Sequence, residues 1–80
     1  MEIITYTIPT CPWCKQLKTW LRRRRIKFED LDVSEEEKYR DELLEKSHQL
    51  AVPVIDVDGE IIIGFDEEKF AKIIEKAKSL

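Results

Sequence analysis

The feature that most constrains this chain is a seam marked by two prolines. A run of alternating, β-branched residues, Glu2 to Ile8, stops at Pro9, and three residues later Pro12 opens a helical pattern. Proline cannot continue a ladder, but it suits the first turn of a helix, where its missing N–H would have no intrahelical partner. A strand must therefore feed a helix through a very short turn. Cys11 and Cys14, the only cysteines of the chain, lie in that seam within "TCPWCK".

The remaining pattern follows in order. Ile4, Tyr6 and Ile8 occupy one side of the first strand, and Ile3, Thr5 and Thr7 the other. The helix from Pro12 is expected to run to about Arg25, with Trp13, Leu17, Trp20 and Leu21 spaced to share one face. Lys27 to Val33 reads as a second strand, with Phe28, Leu31 and Val33 as candidates for burial. Ser34 followed by Glu37 has the form of a capping box, which predicts a second helix carrying Tyr39, Leu43 and Leu44 and fading near Ser47. Val52 to Val57 forms a third strand, Asp58-Gly59 a two-residue hairpin turn, and Glu60 to Ile63 the returning fourth strand. Asp66 caps a third helix whose inner face is Phe70, Ile73, Ile74 and Ala77. The order β-α-β-α-β-β-α predicts an α/β fold in which strands separated by helices pair in parallel and the hairpin adds an antiparallel pair. A four-stranded mixed sheet with helices on both faces results.

Eighty residues make one domain, 1–80. An apolar fraction of 42% against 39% charged residues fits a globular fold and opposes disorder. The net charge of −3 is not that of a basic nucleic-acid binder. No apolar run is long enough to span a membrane, and "MEIITYTIP" lacks the basic start and cleavage site of a secretory leader. A cytoplasmic protein is expected, in a compartment where a lone cysteine pair is reactive or metal-binding rather than structural.

Position assigns roles to the two thiols. Cys11 falls at the helix mouth, where unpartnered N–H groups and the helix dipole favour negative charge, and Lys15 and Lys18 can add positive potential that tunes it. Cys14, one turn inside, should keep its proton longer. Cys11 is then the attacking sulfur and Cys14 the resolving one. Three plainer readings compete. A structural disulfide here would close a tiny loop and add little stability. A zinc site needs about four ligands, and the chain offers two Cys and His48. A copper-type carrier also uses two closely spaced Cys.

"TCPWCK" after a first strand, "VPV" at Val52–Val54 and "DGEIIIGFD" at Asp58–Asp66 together resemble the glutaredoxin-like proteins of the thioredoxin superfamily, over nearly the whole chain. The resemblance implies the thioredoxin fold and a dithiol–disulfide oxidoreductase that reduces protein or small-molecule disulfides through a Cys11–Cys14 disulfide. It implies a cis Val52–Pro53 bond beside the cysteines and a substrate surface drawn from Pro12, Trp13, Val52, Pro53, Gly64 and Phe65. No tightly bound cofactor is expected. The partners implied are disulfide-containing client proteins and an external reductant, either thioredoxin reductase or glutathione, with the protein acting as a monomer that binds neither nucleic acid nor membrane. A glutathione-assisted [2Fe–2S] cluster shared between two chains is the alternative.

Several positions depart from the glutathione-using pattern. Ile8 stands where a lysine is usual, Ala51 where a threonine precedes Val-Pro, and Ile63-Gly64 where two glycines are usual. Gly64-Phe65 looks more like the redoxins that serve ribonucleotide reductase. The Arg22–Arg25 run reads either as a dock for an acidic partner or a nucleic acid or as the solvated end of a helix, where cations suit the dipole, and His48 either as a base or ligand or as a solvent-facing loop residue.

Overall fold

The structure is a computed structural model, and it describes residues 1–78. Strand β1 (Ile3–Thr7) leads into helix α1 (Pro12–Arg23), followed by β2 (Glu29–Asp32), α2 (Glu37–Ser47), β3 (Val54–Val57), β4 (Glu60–Ile63) and α3 (Glu67–Lys78). The element order is the one expected from the sequence; β4 has its expected bounds, and the first three strands are shorter than the patterns that signalled them. The sheet order is β2-β1-β3-β4.

β1 pairs in parallel with β2, as a crossover through α1 requires. β3 pairs with β1 in the antiparallel sense, with Thr5 opposite Ile55 and Tyr6 opposite Val54. This corrects the expectation that every helix-linked pair of strands is parallel. β2 and β3 are not neighbours, so α2 carries the chain past β1 and returns it in the opposite direction. Asp58 and Gly59 both adopt positive φ, 49° and 94°, which is the conformation a two-residue hairpin turn demands. Asp56 holds that turn by accepting the Gly59 N–H at 2.7 Å.

Two apolar clusters lie on opposite faces of the sheet. On one, Ile3, Ile55 and Val57 meet Leu17, Trp20 and Leu21 of α1 and Phe70 and Ile74 of α3. On the other, Tyr6, Leu31 and Val54 meet Leu43 of α2. Trp20, Phe65 and Phe70 pack edge to face, with centroids 5.1 to 6.4 Å apart. Helix α1 closes with Arg25 at φ 55°, the Ile26 N–H on the Leu21 carbonyl and the Arg25 N–H on the Arg22 carbonyl. This is a Schellman ending whose apolar contact joins Ile26 and Leu21, both buried. It stops the helix two residues before the expected boundary.

Two polar clusters tie the layers together. The buried hydroxyls of Thr5 and Thr7 each donate to Asp30 Oδ1 at 2.7 Å, and Lys18 Nζ donates to Asp30 Oδ2 at 3.2 Å. On the opposite face Lys46 Nζ donates to Asp56 Oδ2 at 2.8 Å, and the Tyr6 hydroxyl donates to Glu42 at 3.0 Å. Burial opposes the charge on Lys46, but hydrogen bonds with Asp56 and Tyr6 outweigh it and raise its pKa above the ordinary lysine range. Burial is also the main reason the Tyr6 hydroxyl is harder to ionise than usual.

Three further expectations are corrected. The Ser34–Glu37 capping box does not form. Asp32 accepts both the backbone N–H and the hydroxyl of Ser34, which hold its carboxyl below the usual range, and Glu36 takes the cap position without a side-chain bond. Leu44 is 46% exposed while Leu43 is fully buried, because adjacent helix positions cannot both face one sheet. Trp13 stands 58% exposed, and Cys14 takes its place in the buried stripe of α1. Leu43→Ala is therefore expected to cost about 2–5 kcal/mol, and Leu44→Ala no more than about 0.5 kcal/mol. Urea unfolding of the two variants checks this, and equal costs would contradict the face assigned to α2.

Candidate active site

The site begins where β1 hands over to α1. The turn is closed by the Cys11 N–H on the Ile8 carbonyl at 3.3 Å, and the first helical bond runs from the Lys15 N–H to the Cys11 carbonyl at 3.2 Å. Cys11 is extended, at φ −88° and ψ 113°, and serves as the N-cap. Its Sγ accepts the Cys14 N–H at 3.1 Å. Sulfur thus fills the role that a serine or aspartate oxygen usually fills at a helix start. Both cysteines are free thiols.

The two sulfurs have different surroundings. Cys11 is half-buried at the helix mouth, whereas Cys14 is 0% exposed beneath it. Burial pushes the Cys14 thiol up to about 12, and its hydrogen bond and charge interaction with Cys11 add to the rise. The Ile8 backbone and the Lys18 charge act in the opposite direction and are outweighed. Lys18, not Lys15, is the cation that acts on this thiol. Lys15 is exposed and lines a cleft with Phe65.

The sheet register brings the other expected residues to the same end of the molecule. β1 ends at Thr7, and its antiparallel neighbour β3 starts at Val54, so Val52 and Pro53 sit at the end from which the cysteine turn departs. The Val52–Pro53 bond is cis, as the resemblance implied. The Pro53 carbonyl accepts the Gly64 N–H at 2.8 Å, which joins Gly64 to the same rim. Gly64 has φ 82° with open space around it, so glycine is needed there for backbone conformation rather than for room. Pro12 and Trp13 are exposed beside Cys11, Pro53 is buried, and Val52 is half-buried. Phe65 turns away from the rim and stacks on Trp20 and Phe70.

His48 is exposed, with its N–H on the Leu44 carbonyl at 2.8 Å, and it ends α2 in a left-handed conformation. Among the described residues, no group of three or more His, Cys, Asp or Glu side chains could hold a metal ion. No helix among the described residues is long and apolar enough to cross a membrane. Pattern reading missed the Thr5–Thr7–Asp30–Lys18 cluster, because its members come from three different elements that sequence spacing does not bring together. The one available signal was the pair of hydroxyl residues on the same side as Ile3.

Comparison with known proteins gives a consistent result. The glutaredoxin family profile matches residues 3–62. An uncharacterised glutaredoxin-like 8.6 kDa protein in the rubredoxin operon of Clostridium pasteurianum is 46% identical over 71 residues, covering 89% of this chain and 95% of that protein. Glutaredoxin 3 of Escherichia coli K12 is 32% identical over 62 residues, covering 78% of this chain and 75% of that one. The crystal structure of a glutaredoxin from Archaeoglobus fulgidus superposes with a TM-score of 0.83 at 27% identity, covering 91% of this chain and 85% of that one.

The two environments predict a one-sided labelling pattern. Brief treatment of the reduced native protein with iodoacetamide at neutral pH is expected to modify Cys11 and leave Cys14 free, as fragment mass spectra would show; modification of both at similar rates would contradict the burial of Cys14. The raised Cys14 thiol also carries a stability consequence. The folded state holds that proton more tightly than the unfolded chain does, so its contribution is complete below about 9 and is lost as pH rises toward about 12. Over that window the reduced protein should lose stability relative to its Cys14→Ser variant, measured by denaturant midpoints.

Proposed function

This chain belongs to the glutaredoxin family, whose members are thiol–disulfide oxidoreductases, and we propose that its 80 residues form one redox domain that works by a dithiol mechanism at Cys11 and Cys14. The observation that carries this reading is the sulfur of Cys11 capping α1, 3.1 Å from the Cys14 N–H. Cys11 is the sulfur that a bulky disulfide can reach.

Two exchanges follow. The Cys11 thiolate attacks one sulfur of a substrate disulfide, forms a mixed disulfide and expels the other substrate sulfur as a thiolate. Cys14 then gives up its proton and attacks Cys11, which releases the second substrate thiolate and leaves a Cys11–Cys14 disulfide. The substrate gains two electrons and, on protonation of its thiolates, two protons; the protein is oxidised by the same two electrons. Exchange at Cys11 is self-timed. Once that sulfur is bound in a mixed disulfide, the interaction with Cys11 that helped to raise the Cys14 thiol is gone. Proton release from Cys14 thus becomes easier when it is needed. The Cys14 N–H that points at Cys11 Sγ stabilises negative charge on that sulfur when the disulfide is later reopened.

Pro12, Trp13, Val52, Pro53 and Gly64 form the rim against which the substrate lies, and the Val52 backbone lies outside the β1–β3 ladder, whose pairing starts at Val54. An extended segment added there is a β-augmentation. The external reductant is thioredoxin reductase rather than glutathione. Ile8, Ala51 and Ile63 replace the residues usual for glutathione. The redox pair itself is the carrier, with no tightly held cofactor, in a cytoplasmic monomer.

Cys11→Ser is expected to reduce insulin disulfides no faster than the dithiothreitol background, and Cys14→Ser to accumulate mixed disulfides visible by mass. Full turnover by Cys11→Ser would exclude the mechanism. In coupled assays, NADPH with thioredoxin reductase should regenerate the oxidised protein faster than glutathione with glutathione reductase; the reverse order would overturn the choice of reductant and leave the dithiol chemistry standing.

A further inference from the structure

A cleft of about 500 Å³ opens between α1 and the start of α3, with Lys15, Trp20, Arg23, Arg24, Phe65 and Glu67 in its lining. Two rows at i, i+4 spacing make its α1 wall: Lys15, Thr19 and Arg23 form one, and Gln16, Trp20 and Arg24 the other. Trp20 and Phe65 form an aromatic floor, packed edge to face at 6.4 Å. The Arg22–Arg25 run therefore divides. Arg22 lies over Phe28 at 5.8 Å and Arg25 forms the left-handed end of the helix, while Arg23 and Arg24 face this cleft.

The charges of the cleft are unusual for this chain. Among the described residues, Lys15, Arg23 and Arg24 have no carboxylate within ion-pair distance; the pairs formed are Lys18–Asp30, Lys46–Glu42 and Lys46–Asp56. Against three cations the lining holds one carboxylate, Glu67. The whole protein is negative, at −3, so this is a concentrated patch of the opposite sign. A solvated helix end would leave its arginines extended. Arg24 instead sits over the Trp20 ring, its Cζ 3.8 Å from the ring centre, with Nη1 donating to the Trp20 carbonyl at 3.4 Å. A guanidinium held in this way has lost much of its rotamer freedom before any ligand arrives.

We propose that this cleft docks an acidic segment of the disulfide-bearing client polypeptide. The inference rests on the thiol–disulfide reading above and narrows its substrate class. Lys15 directly follows Cys14 and Arg23 lies eight residues on, so the cations at the two ends of the cleft are roughly 12 Å apart along the helix. That distance spans about four residues of extended chain. The preferred client therefore carries two or more Asp or Glu residues within such a stretch, close to its reactive disulfide. A nucleic acid is the poorer occupant, because the net excess in the cleft is small and the rest of the surface repels a polyanion.

Two measurements on the full chain test this. The oxidised protein is titrated, by backbone amide NMR, with a capped peptide of four consecutive Glu residues lacking cysteine, with its Gln counterpart, and with a single-stranded oligonucleotide. The Glu peptide should shift Lys15, Gln16, Thr19, Arg23, Arg24 and Phe65, weakening as salt rises, and the other two probes should not. Separately, kcat/KM is measured for two otherwise identical disulfide peptides flanked by Glu or by Gln. Glu is expected to be favoured by about 3- to 10-fold. Arg23→Gln should remove most of that preference, with little effect on the Gln peptide. Shifts confined to other surfaces, equal response to the oligonucleotide, or a preference that survives Arg23→Gln together with Lys15→Gln would overturn the docking proposal, even with both peptides reduced. Cleft shifts without reduction of either peptide would overturn the redox reading instead.

Discussion

A helix that starts with proline still has free N–H groups in its first turn, and something must accept them. In this chain the acceptor is a sulfur. The bond from the Cys14 N–H to Cys11 Sγ, 3.1 Å long, is at once the local structure of the β1–α1 turn and the electrostatic setting of the candidate reaction. It fixes Cys11 at the lip of the helix and places Cys14 one turn below, in the buried stripe with Leu17, Trp20 and Leu21. The rest of the fold holds that geometry still. Leu17 and Leu21 anchor α1 to the sheet, Lys18 binds it to Asp30 of β2, and the Schellman ending at Arg25 and Ile26 fixes its far end.

The sheet contributes through direction. Because β3 runs antiparallel to β1, the end of one lies beside the start of the other, and Pro53 comes to the same rim as the cysteine turn. A parallel β3 would have put Pro53 at the opposite end of the molecule. The Asp58–Gly59 turn then returns β4 so that Gly64 ends beside Pro53, joined by the Gly64 N–H on the Pro53 carbonyl. Three stretches far apart in sequence thus meet through one choice of strand direction. Asp56 supports the turn from within β3, and its charge is matched by Lys46 from α2, so the face opposite the cysteines carries a part-buried polar lock.

Much of this was legible in the chain. The β1 alternation, the Pro12 start, the Asp-Gly turn and the Phe70–Ile74 stripe each rest on one strong local preference that nothing nearby opposes. The failures occur where two local preferences compete. Ser34 could cap α2, but Asp32, two residues earlier, is an anionic acceptor that captures both its N–H and its hydroxyl. Leu43 and Leu44 are equally apolar, and only the placement of α2 over Tyr6 and Val54 decides which is buried. Trp13 fits the α1 stripe by spacing, yet it belongs to the first turn, where the cysteine cap and not the sheet sets the orientation. The direction of β3 is not a local property, and no pattern in residues 52–57 encodes it.

The same competition explains why the candidate site could be located from the sequence while its electrostatics could not. Motif spacing says that two sulfurs lie near a helix start, which backbone geometry alone guarantees. It does not say which lysine faces them. Lys15 and Lys18 are both within a turn of Cys14, and their roles separate only when Asp30 is seen to hold Lys18 against the β1–β2 edge while Lys15 opens onto the cleft with Phe65. One cation is thereby tied to the sheet and acts on the buried thiol, and the other is left to face whatever approaches. Asp30 makes that division, through a carboxylate already shared by two buried threonine hydroxyls, and it does so from a strand with no part in the cysteine motif.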